Sequence, residues 1–163
     1  MPAAPPAAVG GRLECDNPEY QFVTTFIGIL DVDSGVLEYV CAGHDAPLLL
    51  RHGAVSPIAT REIGGPPLGA LDGYPFASAR QQLERGDLLC LFTDGVSEAG
   101  DSQRMFGTGR LAATLLATAA DAPLAARATA IRDAVRRFEA GQPPFDDLTI
   151  LLAEWYGRPP NEH

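Results

Sequence analysis

Tyr20-Gln-Phe-Val-Thr-Thr-Phe-Ile-Gly-Ile-Leu-Asp-Val-Asp-Ser-Gly-Val-Leu-Glu-Tyr-Val-Cys-Ala42 holds two β-rich runs on either side of a turn cluster. From Tyr20 to Leu30 the β-branched and aromatic density predicts a long strand. Asp31 to Gly35 collects turn formers, with Gly35 where a positive φ is wanted. Val36 to Ala42 returns as a second strand, so the stretch predicts a hairpin and not a crossover. Further along, Pro47 to Arg51 predicts a third strand, ended by His52-Gly53. Ala54 to Tyr74, rich in Gly and Pro around Gly64-Gly-Pro-Pro-Leu-Gly69, predicts a long loop. Pro75–Leu83 and Asp87–Thr93 predict two more strands joined by Glu84-Arg85-Gly86. The period then changes. Gly109–Ala120 and Pro123–Ala140 place Leu111 and Leu115, then Ile131, Val135 and Phe138, at helical spacing, with Asp121 as the expected N-cap of the second helix. Leu148–Trp155 closes as a strand. A doubly wound parallel sheet needs a helix between most strands, and none is expected before residue 107. The order therefore predicts an α+β fold of antiparallel sheets with a flanking helical pair.

The chain has 163 residues, of which 46% are hydrophobic and 20% charged, as in a globular domain of ordinary size. Twelve basic residues against 21 acidic ones give a net charge of −9. That charge argues against nucleic acid or an anionic membrane as the main partner and suits a site built from carboxylates. Cys15, Cys41 and Cys90 lie far apart with no C-x-x-C pair, which predicts reduced thiols in a cytoplasmic protein. No run approaches the roughly 20 apolar residues of a spanning helix. Met1 to Gly10 lacks the basic and apolar regions of a signal peptide. Residues 1–19 read as a flexible lead-in, 20–157 as the domain and 158–163 as a tail.

Two acidic clusters stand at the ends of apolar strands. Leu88-Leu-Cys-Leu-Phe-Thr-Asp94-Gly95-Val-Ser-Glu98 runs out at Asp94, where Gly95 is expected to permit a sharp turn. In Pro143-Pro-Phe-Asp146-Asp147-Leu-Thr-Ile-Leu-Leu152 two carboxylates precede a strand. Charges beside buried strands cost free energy unless compensated, and a hard divalent cation held by carboxylate oxygens compensates them. As plain turn formers or caps, Asp94 and Asp146 would need no ion. Composition and spacing leave both readings open.

Six motifs in order bring in a family. Phe22-Val-Thr-Thr-Phe-Ile-Gly-Ile-Leu-Asp31, Ala42-Gly-His-Asp-Ala-Pro47, Pro67-Leu-Gly69, Arg85-Gly-Asp-Leu-Leu89, Phe92-Thr-Asp-Gly-Val-Ser-Glu98 and Phe145-Asp-Asp-Leu-Thr-Ile150 resemble the SpoIIE/RsbU-type serine phosphatases. These are the bacterial branch of the metal-dependent type 2C (PPM) protein phosphatases. The resemblance spans about residues 20–156 and looks like the C-terminal two-thirds of the catalytic domain. It implies a truncated type-2C-like β-sandwich. It further implies two Mn²⁺ or Mg²⁺ ions sharing an activated water that attacks phosphoserine or phosphothreonine, without a covalent phosphoenzyme. By position, Asp94 resembles a ligand of one ion and Asp146 a ligand of the other. Glu98 lies where a further acid holds ion-bound water or a weak third ion. Asp147 falls where related phosphatases often have Asn, which implies a supporting role, as for Gly95 in the Asp-Gly turn. The implied substrate is a phosphorylated regulatory protein, often an anti-sigma-factor antagonist of a partner-switching pathway.

The family's upstream Asp-x-Ser-Gly-x-Gly segment, which supplies a bridging carboxylate, has no counterpart before Tyr20. The expectation is a fragment with a partial ion site, and a sheet edge left open to pairing with a second copy. The reading from another class is a non-catalytic phosphatase-like binding module. Asp31-Val-Asp33 after an apolar strand also resembles the haloacid-dehalogenase-type phosphatases, whose pattern is broken by Gly35 and by the hairpin. His44 is a candidate for the rim of the site, although a histidine between Gly43 and Pro47 more often serves loop backbone. Arg51 and His52 are expected at the surface, and Arg132, Arg136 and Arg137 on a solvated face of the last helix.

Overall fold

The computed structural model describes residues 21–58, 64–71, 73–101, 104–141, 144 and 146–157. The expected lead-in and tail, with residues 59–63 and 72 of the expected loop, lie outside the described residues. The strands are β1 (Thr25–Leu30), β2 (Val36–Ala42), β3 (Leu48–Arg51), β4 (Ala54–Pro57), β5 (Gly64–Gly65), β6 (Ala79–Gln82), β7 (Asp87–Phe92), β8 (Gly100–Asp101), β9 (Arg104–Met105) and β10 (Ile150–Trp155). The helices are α1 (Asp94–Ser97), α2 (Gly107–Ala117) and α3 (Leu124–Glu139). Among the described residues no helix is long and apolar enough to cross a membrane.

The chain divides into two units, residues 1–46, 59–83 and 157–163 in the first and 47–58 and 84–156 in the second. In the first unit β1 and β2 form the expected hairpin, with Leu30 opposite Leu37 and Thr25 opposite Ala42. The Asp31 carboxylate accepts the amides of Asp33 at 2.9 Å and Ser34 at 3.2 Å, and Gly35 takes a φ of +74°. Those amides, that of Ser34 foremost, hold the Asp31 carboxyl below the usual range. Asp31 is therefore a turn former, and no crossover helix follows it. Leu37, Tyr39 and Cys41 alternate into the interior of this unit, and Phe26 stacks on Tyr39 with ring centroids 5.2 Å apart. β6 pairs with β2 antiparallel, and the short β5 pairs with it in parallel.

The second unit carries an antiparallel sheet in the order β10-β7-β3-β4. One face of it is covered by the helical pair. Leu111 and Leu115 of α2, with Ile131 and Val135 of α3, are fully buried in one cluster with Leu48, Leu88, Cys90 and Phe92. Four of the five periodic positions of the sequence are thus core, and the fifth, Phe138, packs against it half-buried.

Four local expectations need correction. Residues 54–74 are not one loop, because His52 and Gly53 take φ of 48° and 75° and turn the chain back into β4. The strand expected over Pro75–Leu83 is confined to β6, which pairs with β2, while β7 pairs with β3 and β10. Asp121 does not cap α3, whose N-cap position is Pro123 with no side-chain capping bond, since the extended Pro123 (ψ 141°) delays the helix to Leu124. Arg51 is not a freely solvated surface residue, its side chain being 26% exposed. Its guanidinium grips Asp87, which is 2% exposed, through Nε at 3.0 Å and through Nη2, and it also meets Glu84 at 3.0 Å.

Candidate metal centre

β7 and β10 end side by side. With Ile150 opposite Phe92, the residues just beyond β7 and just before β10 reach the same end of the sheet. A threonine clamp locks them there. The Thr93 amide donates to the Thr149 carbonyl at 3.2 Å, and the Thr149 amide donates to Thr93 Oγ1 at 3.1 Å. The Thr93 hydroxyl in turn donates to the Asp147 carbonyl at 3.0 Å. The chain then enters α1 at Asp94, with the Glu98 amide donating to the Asp94 carbonyl at 2.7 Å.

Gly95 is buried at this junction, and its reason is steric. It does not lie in the left-handed region. A Cβ added there would come within 2.4 Å of the Asp147 carbonyl oxygen and 3.2 Å of that of Asp146. The sharp turn expected of Gly95 is thus a close approach of two backbones, which only a residue without a side chain allows.

That approach brings Asp94 and Asp146 to adjoining segments. Both are exposed. Each carboxylate binds the next amide through Oδ1, Asp94 to Gly95 at 2.9 Å and Asp146 to Asp147 at 2.7 Å. Each is thereby oriented with Oδ2 lacking a protein partner among the described residues. Glu98 is exposed at the end of α1, one turn past Asp94. Asp147 acts here through its carbonyl. His44 belongs to the first unit, where its Nδ1 lies 2.8 Å from the Asp45 carbonyl and its own carbonyl accepts the Cys41 thiol at 3.1 Å. Its hydrogen bonds are those of a loop histidine.

Oriented carboxylates whose Oδ2 atoms have no partner among the described residues fit a hard divalent cation in kind. In number they fit part of a cage, because no three His, Cys, Asp or Glu converge among the described residues. Thr93 and Thr149 escaped the sequence reading. Their signal was present: a threonine directly before Asp94 and another three residues after Asp146, at facing register.

The model of the Stage II sporulation protein E (SpoIIE) family matches residues 7–156. Protein IcfG of Synechocystis is 29% identical over 135 residues, which are 80% of this chain and 20% of that protein. The phosphoserine phosphatase RsbU of Bacillus subtilis is 32% identical over 77 residues, 47% of this chain and 23% of that protein. The chain thus spans about a fifth of the length of these curated relatives. Among solved structures, the RsbU and RsbW domains of Rv1364c from Mycobacterium tuberculosis align with a TM-score of 0.75 at 24% identity, over 96% of this chain and 44% of that one. The phosphatase domain of SpoIIE from Bacillus subtilis aligns with a TM-score of 0.68 at 16% identity, over 96% of this chain and 67% of that one. The α+β fold with antiparallel sheets is that of these phosphatase domains, and the chain belongs to the SpoIIE family.

Proposed function

We propose that the chain is part of a metal-dependent protein serine/threonine phosphatase in which Asp94 and Asp146 hold Mn²⁺ or Mg²⁺. The observation that carries this reading is the Gly95–Asp147 backbone contact, which joins two acidic segments whose Oδ2 atoms have no protein partner among the described residues. Family membership and a relative named as a phosphoserine phosphatase support the reaction class. When bound, the ions supply activation of water and neutralisation of phosphoryl charge.

The protein's own share is positional. The Thr93 hydroxyl and the amides of Gly95 and Asp147 hold the acidic segments in place, and Glu98, exposed one turn past Asp94, is proposed to hold ion-bound water or a weak third ion. The remaining oxygen ligands are proposed to come from water and from parts of the domain beyond the described residues. The substrate class is a phosphorylated regulatory protein of the partner-switching kind, in a cytoplasmic setting. The buried free thiols of Cys41 and Cys90 are compatible with that compartment. No strand pairs with the outer edge of β1 among the described residues, and Ile29 beside it is 54% exposed, which supports pairing with a second copy.

Because no three His, Cys, Asp or Glu converge among the described residues, the 163 residues alone should turn over a phosphoserine peptide near background in Mn²⁺. A longer protein that adds the Asp-x-Ser-Gly segment should be active, and Asp94→Ala or Asp146→Ala should then cost about a hundredfold or more. Activity that survives both substitutions would overturn the reading. An inactive longer protein that still binds phosphoprotein would favour the binding module.

A further inference from the structure

The second unit contains a groove of about 620 Å³ between α2 and α3, and neither Asp94 nor Asp146 lines it. Its floor is apolar and small, with Ala113 of α2 and Ala134 of α3 beside Phe138. Its rim is cationic. The guanidiniums of Arg104 and Arg110 each lie 4.8 Å from the centroid of the Phe138 ring, and Arg137 stands next to that ring in sequence and in the groove wall. Arg110 donates to the carbonyls of Met105 and Phe106, at 3.0 and 2.9 Å, and to no carboxylate among the described residues. Arg137 has no carboxylate partner among them either, whereas its neighbours Arg132 and Arg136 are paired with Asp133 and Glu139.

Arg110 and Arg137, without carboxylate partners among the described residues, place positive charge on this rim in a chain of net charge −9. Stacking on Phe138 fixes Arg110 before any ligand arrives, so little of its side-chain entropy remains to be lost on binding. The Ala floor, on the face of α2 opposite the buried Leu111 and Leu115, leaves room for one apolar side chain. We propose that this groove docks an acidic, amphipathic segment of a partner protein, its carboxylates on Arg110 and Arg137 and an apolar side chain on the alanine floor. The charge complementarity selects this occupant over a basic or neutral one.

Fluorescence anisotropy on the whole chain tests it, with a labelled Glu-rich helical peptide carrying Leu at i, i+3 and i+7 as the probe. Saturable binding is expected, weakened about tenfold by Arg137→Glu and unchanged by Arg132→Glu. A Gln-for-Glu version of the peptide should bind at least tenfold more weakly. Ala113→Glu, an exposed helix position, gives a second variant in which the groove is blocked while the core is untouched. Binding that is indifferent to Arg137→Glu and Ala113→Glu, or equal for the Gln peptide, overturns the proposal. So does displacement of the peptide by inorganic phosphate at a few millimolar, which would mark a simple anion site, and so does the absence of binding by the unaltered chain up to about 1 mM.

Discussion

A β-carbon at position 95 would sit 2.4 Å from the Asp147 carbonyl oxygen, and that single distance explains why Asp-Gly stands there. Gly95→Ala must push residues 146–147 away or distort α1. A cost of about 1–3 kcal/mol in urea unfolding is expected, together with weaker ion binding. Unchanged stability and binding would mean that the two segments are not in contact. Asp87 makes a different residue-scale case. It is 2% exposed and is held by Arg51 and by the Glu84 amide at 2.7 Å. Arg51→Ala strands a buried carboxylate and should cost about 3 kcal/mol, read as a drop in the urea midpoint. That Asp94 and Asp146 stand at the ends of apolar strands was legible in the sequence. Arg51 and Thr93 were not. Their roles depend on partners 36 and 54 residues away, Asp87 and Asp147, which only the strand pairing supplies.

Among the elements, β7 is the strand on which the second unit is organised, since β3 and β10 both pair with it. Its Cys90 shows how deeply it lies, for burial pushes that thiol up to about 12. An unfolded cysteine loses its proton near pH 8.5 while the folded one keeps it. Above that pH the folded state binds more protons, so stability falls as pH rises, by up to about 1.4 kcal/mol per unit from this group until about pH 12. Urea midpoints between pH 9 and 11 should therefore decline less steeply for Cys90→Ala than for the unaltered chain. Parallel slopes would contradict the burial. The helices were read correctly because Leu111, Leu115, Ile131 and Val135 keep their period through fully buried positions. Leu115→Ala should accordingly cost about 2–5 kcal/mol. The short β4 and β5 were not legible, since a strand of two to four residues has too few alternations to set a period.

For the molecule as a whole, the order of strands, helices and final strand was readable as α+β, and six motifs in sequence pointed to the family that the comparison then gave. The pairing of β6 with β2 and of β7 with β10 was not readable, because β6 and β7, neighbours in sequence, belong to different sheets. The pairing of β7 with β10 is what carries Asp94 and Asp146 to one end of one sheet. The central claim is that these two carboxylates share the holding of a divalent cation. Mn²⁺ titration followed by electron paramagnetic resonance measures it without any need for turnover. The unaltered chain should take up Mn²⁺ weakly, with a Kd on the order of 0.1–1 mM for so incomplete an oxygen set. Asp94→Asn and Asp146→Asn should each weaken it about tenfold or more. Identical Mn²⁺ uptake by the unaltered chain and both variants would contradict the account.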